Sequence, residues 1–268
     1  MELIDIGANL THDAFAHDID QVIRRATAAQ VTQMIVTGTN LQHAYRAAEL
    51  ARKYRGTLFA TAGIHPHHAK EASANSDTEL RALVAGCEVV AIGECGLDYF
   101  RDIAPRAVQQ TAFERQLELA VATKKPLFLH QRDAHQDFLA IMRSFATRLG
   151  PAVVHCFTGT REELFTYLDH GWFIGLTGWL CDERRGTHLR ALVKAIPSDR
   201  LMLETDAPYL LPRTLHPRPK DGRNEPCLLI HLLAEIAKEC HATPDQIAQQ
   251  TTQVARSFFN LPLDPMNT

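Results

Sequence analysis

Short apolar or β-branched runs alternate with longer amphipathic stretches along the 268 residues, and this pattern repeats eight times. It is typical of βα units around a parallel sheet, and eight such units close into a (β/α)8 TIM barrel. The predicted strands begin near Leu3, Met34, Leu58, Val89, Leu127, Ala152, Trp172 and Leu201. The predicted helices lie near Phe15–Ala29, Leu41–Tyr54, Thr78–Ala85, Ala107–Thr123, His135–Ala146, Arg161–His170, His188–Ala195 and Pro226–Cys240, with one or two more after a cap at Thr243-Pro244-Asp245.

Length and composition favour a single domain over residues 1–268, because barrels of about 250 residues are commonly one domain. The first residues lack the basic and apolar regions of a signal peptide, and no apolar run is long enough to span a membrane. Six cysteines are scattered without a Cys-x-x-Cys pair. We therefore expect a soluble, cytoplasmic, monomeric protein with reduced cysteines and no membrane partner.

Five residues that suit a metal site each follow a predicted strand: His65, Glu94, His130, His155 and Asp206. Strand ends of this kind carry the active sites of barrel enzymes. Any one of them could instead cap a helix or satisfy a buried partner, but capping gives no reason for three histidines after strands three, five and six. Imidazoles with carboxylates suit Mg²⁺, Mn²⁺ or Zn²⁺. Because none of the five residues is a cysteine, there is no thiolate ligand that would favour zinc.

The formal net charge of −3 does not indicate binding of nucleic acid through a bulk positive field. A polyanionic substrate would need local charge or bound cations. Arg132 and the long loop between Pro208 and Pro226 supply candidates for phosphate contacts; the loop carries Arg213, His216, Arg218, Lys220 and Arg223. The alternative for each is a solvated side chain.

Five aromatic residues also follow predicted strands: Tyr99, Phe100, Phe157, Trp179 and Tyr209. One or two of them are expected to stack on the bases of a single strand. Packing in the core or at its rim is the more frequent role of such side chains.

Several segments resemble motifs of the TatD family of metal-dependent deoxyribonucleases, which belong to the amidohydrolase-like barrels. They are Gly63–His67, Gly93–Tyr99, Pro126–His135, Val154–Gly159, Leu203–Tyr209 and Arg223–Pro226. The resemblance spans nearly the whole chain. It implies that Glu94, His130 and His155 hold one metal ion, with Mg²⁺ as the leading candidate, and that Asp206 ligates metal or orients the attacking water.

The resemblance also implies a role for His65 in contacting phosphate or stabilising the leaving oxygen, against the alternative of a turn or packing role. Arg132 and Arg223 are the further predicted substrate contacts. The first strand departs from the family pattern Asp-x-His-x-His, because Gly7 and Asn9 replace both histidines. A second metal site is therefore uncertain, since glycine offers no ligand and asparagine only an amide oxygen.

The predicted function is a metal-dependent 3'-5' exonuclease that hydrolyses single-stranded DNA, or RNA, in DNA repair or turnover. Two alternatives remain open from the sequence. One is a barrel metallohydrolase of a small amide or phosphoester. The other is a non-enzymatic scaffold in which the second metal site has decayed.

Overall fold

The computed structural model describes residues 1–263. Its strands are β1 (Leu3–Ala8), β2 (Val31–Val36), β3 (Leu58–Ala62), β4 (Val89–Asp98), β5 (Leu127–Arg132), β6 (Ala152–Val154), β7 (Phe173–Leu176) and β8 (Leu201–Leu203). Its α-helices are α1 (Ile19–Ala28), α2 (Leu41–Lys53), α3 (Ala74–Val84), α4 (Arg106–Thr123), α5 (His135–Phe145), α6 (Arg161–Asp169), α7 (Thr187–Leu192), α8 (Leu229–Glu239) and α9 (Pro244–Phe259).

The eight strands form one sheet in the order β1 to β8, and a helix follows each strand. This order is that of a (β/α)8 TIM barrel, so the predicted fold class is confirmed. The chain divides into two compact units, residues 37–155 and residues 1–36 together with those from 156 onward. The single domain over residues 1–268 stays a prediction.

The unit of residues 37–155 contains β3 to β6, which pair in parallel, each with the next. Its helices α4 and α5 meet through stacked rings of Phe113 and Phe138, whose centroids are 5.3 Å apart. Both rings are fully buried. This stacked pair is therefore part of the close apolar packing between the two helices.

In the other unit, β1 pairs with β2 and β7 with β8, again in parallel. The C-terminal helix α9 begins with the predicted cap, since the hydroxyl of Thr243 accepts from the backbone N–H of Gln246. Thr252 on α9 donates its hydroxyl to the carbonyl of Glu2, which fixes the chain just before β1. Only one helix follows Thr243 in the described chain.

Four predicted element starts are wrong by three or four residues. Helices α1 and α8 begin at Ile19 and Leu229 instead of Phe15 and Pro226, where short 3-10 helices lie. Polar residues explain the other two. Strand β2 begins at Val31 instead of Met34, because Gln33 is buried in the strand and its Nε2 donates to the carbonyl of Pro262 over 3.1 Å. Helix α3 begins at Ala74 instead of Thr78, because Ser73 and Ser76 form a capping box at its start.

The strands that carry two candidate ligands are longer than predicted. Glu94 lies inside β4 and His130 inside β5, whereas the apolar runs predicted that both would follow strand ends. Gly96 in β4 has a φ of 142°, and a Cβ there would collide with the carbonyl oxygen of His130. The glycine therefore allows the backbones of β4 and β5 to approach closely next to the site.

Candidate metal centre and active site

Four of the five predicted site residues lie in the unit of residues 37–155. Glu94 and His130 project from neighbouring strands, and His155 immediately follows β6. His65 comes three residues after β3, where Pro66 begins a short 3-10 turn. All four side chains are largely buried, with at most 17% of any of them exposed.

Three imidazole rings converge on one oxygen of Glu94. Its Oε1 lies 2.7 Å from Nε2 of His155, 2.9 Å from Nδ1 of His130 and 3.3 Å from Nε2 of His65. One carboxylate oxygen has two lone pairs, so it cannot accept a full hydrogen bond from three nitrogens at once. The three contacts therefore cannot all be full hydrogen bonds, and the longest, from His65, is the weakest.

The cluster fits a divalent cation by its donor atoms. One ligand atom each from His65, Glu94 and His130 lie within 4.8 Å of one another. The second nitrogen of His130, Nε2, is buried and faces Oδ2 of Asp98 over a long contact of 3.4 Å. Two nitrogens and a carboxylate oxygen form a ligand set that suits several divalent metals.

The hydrogen bonds of His65 distinguish it from the other two histidines. Its Nδ1 accepts from the backbone N–H of His67 over 3.0 Å. A neutral His65 therefore carries its proton on Nε2, the nitrogen that faces Glu94, and can donate there. Burial lowers the pKa of His65 to about 4, so the ring is neutral near pH 7.

Asp98 is a site residue that the sequence reasoning did not single out. Its Oδ2 lies 2.8 Å from Nε2 of His67 and 3.4 Å from Nε2 of His130, and its side chain is 1% exposed. A carboxylate behind a histidine orients the ring and directs the other nitrogen forward. The spacing gave a signal, because Glu94 and Asp98 are four apart in one strand and so share a face.

Electrostatics keep the carboxylates of Glu94 and Asp98 ionised. Burial opposes ionisation of Glu94, but the charge of His155 and hydrogen bonds from His130 and His155 outweigh it and hold the pKa well below its usual range. Burial likewise opposes ionisation of Asp98, but hydrogen bonds from His130 and His67 hold its pKa well below the ordinary value. The same contacts raise the pKa of His130 against the effect of burial.

Asp206, the fifth predicted residue, lies in the other unit, three residues after β8. Its φ is 54°, in the left-handed region that few residues other than glycine adopt. Its Oδ1 accepts from Nδ2 of Asn9 over 2.9 Å, and its backbone N–H donates to the carbonyl of Gly7 over 2.8 Å. Gly7 and Asn9 therefore hold Asp206 in place.

Asp5 stabilises the same turn through hydrogen bonds with Thr205. Its carboxylate accepts from the backbone N–H of Thr205 over 2.9 Å and lies 2.5 Å from the Thr205 hydroxyl oxygen. Complete burial raises the pKa of Asp5 to about 7, although hydrogen bonds from Thr205 and Gly7 oppose the shift. The sequence gave no reason to expect a buried, easily protonated carboxyl there.

The predicted phosphate contacts have different surroundings. Arg132, at the end of β5, lies with its guanidinium 3.9 Å from the ring centroid of Phe100, and 52% of Phe100 is exposed. Arg223 instead pairs with Asp18 and Glu225, and Arg213 pairs with Glu183. The loop charges that predicted a positive patch are thus partly neutralised by acidic side chains from other segments.

The predicted aromatic contacts also separate into two groups. Phe157 is 3% exposed and packs against Tyr167, so it is a core residue. The hydroxyl of Tyr99 donates to Asp137 over 2.8 Å. Trp179 is partly buried, whereas Phe100 and Tyr209 are each about half exposed and are the most accessible of the five for stacking on bases.

A sheet of eight consecutive parallel strands with imidazoles and carboxylates at or near the strand ends defines a barrel hydrolase with a candidate metal site. The family model for TatD-related DNases matches residues 4–260, and the chain belongs to that family. The predicted family and enzyme class, a nuclease among the hydrolases, are confirmed.

Curated relatives cover almost the whole chain. The protein named 3'-5' ssDNA/RNA exonuclease TatD from Erwinia billingiae is 51% identical over 260 residues, which are 97% of this chain and 100% of that protein. The protein of the same name from Cronobacter sakazakii is 52% identical over 257 residues, 96% of this chain and 97% of its own.

Solved structures of the family agree with the fold. The TatD homologue YjjV from Escherichia coli superposes with a TM-score of 0.88 at 28% identity, over 97% of this chain and 98% of its own. A TatD family hydrolase from Entamoeba histolytica gives a TM-score of 0.86 at 28% identity, over 96% and 98%. Among residues 1–263, no helix is both long and apolar enough to cross a membrane.

Proposed function

We propose that this protein is a metal-dependent 3'-5' exonuclease of single-stranded DNA and RNA, with Mg²⁺ as its cation. The convergence of three imidazole nitrogens on Oε1 of Glu94 carries the metal part of the proposal. Family membership and the relatives named as ssDNA/RNA exonucleases support the substrate.

Glu94, His130 and His155 would hold the cation. A divalent cation in such a site lowers the pKa of an attacking water and offsets negative charge on the phosphate oxygens. Asp98 orients His130 from behind, so that Nδ1 of His130 is directed towards Glu94. We assign one firm site, because Gly7 and Asn9 supply no imidazole for a second one.

His65 would donate a hydrogen bond to the phosphate or to the leaving oxygen. Its neutral ring with a proton on Nε2 suits this role better than metal ligation, because Nδ1 already accepts from His67. A neutral donor can stabilise the charge that develops as the phosphorus–oxygen bond breaks. Asp206 is the proposed base, or a further ligand, for the water that attacks phosphorus.

Arg132 would contact the substrate backbone. Its guanidinium lies above the ring of Phe100, and base stacking on the exposed part of that ring would place the adjoining phosphate nearby. Six free thiols support the predicted cytoplasmic location. DNA repair or turnover is the proposed process.

The test is cleavage of a 3'-end-labelled and a 5'-end-labelled single-stranded oligonucleotide with Mg²⁺, with Mn²⁺ and with chelator. We expect stepwise shortening from the 3' end that requires the cation. Hydrolysis of a model phosphodiester or amide without any shortening of the oligonucleotide would instead support the small-molecule hydrolase. Absence of both activities would support the scaffold.

The substrate contact is tested by the salt dependence of KM. Replacing Arg132 with Ala should raise KM and reduce the salt slope by about one, because one phosphate contact is lost. Arg148→Ala is the matched control, since Arg148 also lies over an aromatic ring, 4.6 Å from the centroid of Phe145, but in an exposed surface pair with Glu118. An equal effect of both substitutions would remove the special role of Arg132.

A further inference from the structure

The segment Arg223-Asn224-Glu225 resembles a family motif, yet none of its three residues has a role in the chemistry described above. It ends the long loop that begins after Asp206. Asn224 is 1% exposed, and the side chains of Arg223 and Glu225 are 17% and 14% exposed. Burial of two opposite charges and an amide at a loop end requires specific partners.

The partners of Asn224 lie on both sides of Asp206. Its Nδ2 donates to the carbonyl of Thr205 over 3.0 Å and to the carbonyl of Tyr209 over 2.7 Å. Its backbone N–H donates to the carbonyl of Pro208 over 3.1 Å. The side chain of Asn224 therefore bridges the two ends of the turn of residues 205–209.

This turn needs an external restraint because Asp206 adopts a φ of 54°. A residue other than glycine keeps such a conformation only when its surroundings fix it. Hydrogen bonds from Asn9 and to Gly7 restrain Asp206 itself, whereas Asn224 restrains the backbone before and after it.

The two neighbours of Asn224 in the sequence belong to a cluster of four acidic and basic side chains, which anchors the segment. This ion-pair cluster consists of Asp18, Arg25, Arg223 and Glu225. Arg223 donates to Asp18 over 2.7 and 2.9 Å and to Glu225 over 2.6 Å, and Arg25 donates to Glu225 over 2.7 and 3.0 Å and to Asp18 over 3.0 Å. Each acid thus contacts both arginines.

The cluster ties the loop end to the segment between β1 and α1. Arg223 also donates to the carbonyl of Ala14 over 2.6 Å, and its guanidinium lies 5.0 Å from the ring centroid of Phe15. The planar guanidinium of an arginine has several N–H donors in fixed directions, so its contacts are directional. The ammonium group of a lysine cannot reproduce this geometry.

We propose that Asn224 is a positioning residue for Asp206 and that the ion-pair cluster holds Asn224 in place. Arg223 then acts by anchoring the loop end, not by contacting phosphate as the sequence predicted. The inference rests on the proposed role of Asp206 in the reaction.

The experiment combines steady-state exonuclease kinetics with hydrogen exchange of a peptide that covers residues 205–211. Asn224→Ala should lower kcat about 100-fold, since a misplacement of about 1 Å can have that effect, while KM and the affinity for Mn²⁺ change less than about twofold. Backbone exchange in the peptide should accelerate about tenfold or more. Asn224→Ser, which keeps a single donor, should recover part of kcat.

Arg223→Lys keeps the charge and should show the same pattern in weaker form. Two variants control for general loss of stability in the same unit. Gln33→Ala removes a buried amide that donates to the carbonyl of Pro262, and Arg256→Lys alters an arginine that is also 17% exposed and pairs with Glu2. Both should leave kcat and exchange of residues 205–211 unchanged.

A rise in KM at unchanged kcat for Arg223→Lys would overturn the proposal and restore Arg223 as a phosphate contact. Unchanged exchange of residues 205–211 in Asn224→Ala would also overturn it. Failure of the proposed function looks different, because the wild type would then show no cation-dependent cleavage. Failure of the role of Asp206 would leave Asp206→Ala fully active, and in both cases the exchange result for Asn224 would still stand.

Discussion

Nδ2 of Asn9 donates a hydrogen bond of 2.9 Å to Oδ1 of Asp206. The backbone strengthens this link, since the N–H of Asn9 donates to the carbonyl of Ala207 over 2.7 Å. The amide nitrogen of Asn9 is thus a hydrogen-bond donor to Asp206, and only the amide oxygen of such a side chain can ligate a metal. Asn9 therefore holds the proposed base from the first strand.

Replacing Asn9 with Asp should lower kcat by about 10–100-fold. The substitution removes a hydrogen bond to a charged group, worth about 1.5–3 kcal/mol, and places a like charge beside Asp206. Steady-state kinetics on single-stranded DNA measure the change. Asn75→Asp is the matched control, because Asn75 is an exposed amide that donates to Glu79, over 2.6 Å. Similar kinetics for both variants would show that the contact with Asp206 has no catalytic importance.

Asp98→Asn should weaken the affinity for Mn²⁺ by about 10–100-fold, the usual effect of losing a carboxylate behind a ligating histidine. The amide oxygen can still accept from the backbone N–H of Arg101, as Oδ1 of Asp98 does, so the local turn should survive. Calorimetric titration measures the affinity. Asp102→Asn, at an exposed pair with Arg106, should have no effect, and wild-type affinity in Asp98→Asn would contradict the orienting role.

Part of this site was predictable from strand-end residues alone. Periodicity placed Glu94, His130 and His155 near the ends of consecutive strands, where parallel topology brings side chains together. Asp98 and His67 were missed because their role arises from side-chain packing around His130, which periodicity does not encode. The capping box at Ser73 marks the start of α3 in the sequence, but the apolar pattern alone placed that start later.

Asp5 should make stability depend on pH. Its pKa is 3.8 when exposed and about 7 in the folded chain, so the folded state retains a proton that the unfolded state loses between these values. The stabilisation is complete below about pH 4 and decreases as pH rises to 7. Its slope should be about 1.4 kcal/mol per pH unit at most.

Urea denaturation of the wild type and of Asp5→Asn at intervals from pH 4 to 7.5 measures this effect. The asparagine resembles the protonated acid and keeps the hydrogen bonds with Thr205. The unfolding free energy of the wild type minus that of the variant should fall as pH rises. A difference that is constant with pH would show that Asp5 is ionised throughout.

The surroundings of Arg223 could not have been predicted from its position in a basic loop. Charge counting indicated a phosphate contact, but Asp18 lies 205 residues away in the sequence. Only the fold brings the two together. The sequence did contain a hint, since Glu225 follows Arg223 by two residues and Asp18 precedes α1.

The most direct test of the account is a titration of Mn²⁺ into wild type and Glu94→Gln, paired with exonuclease assays of the same samples. The exposed residue Glu118, which pairs with Arg148, supplies the control Glu118→Gln. We predict one strong site in the wild type and the control, and a loss of both strong binding and cation-dependent cleavage in Glu94→Gln. Full binding and full activity in Glu94→Gln would contradict the proposed metal centre.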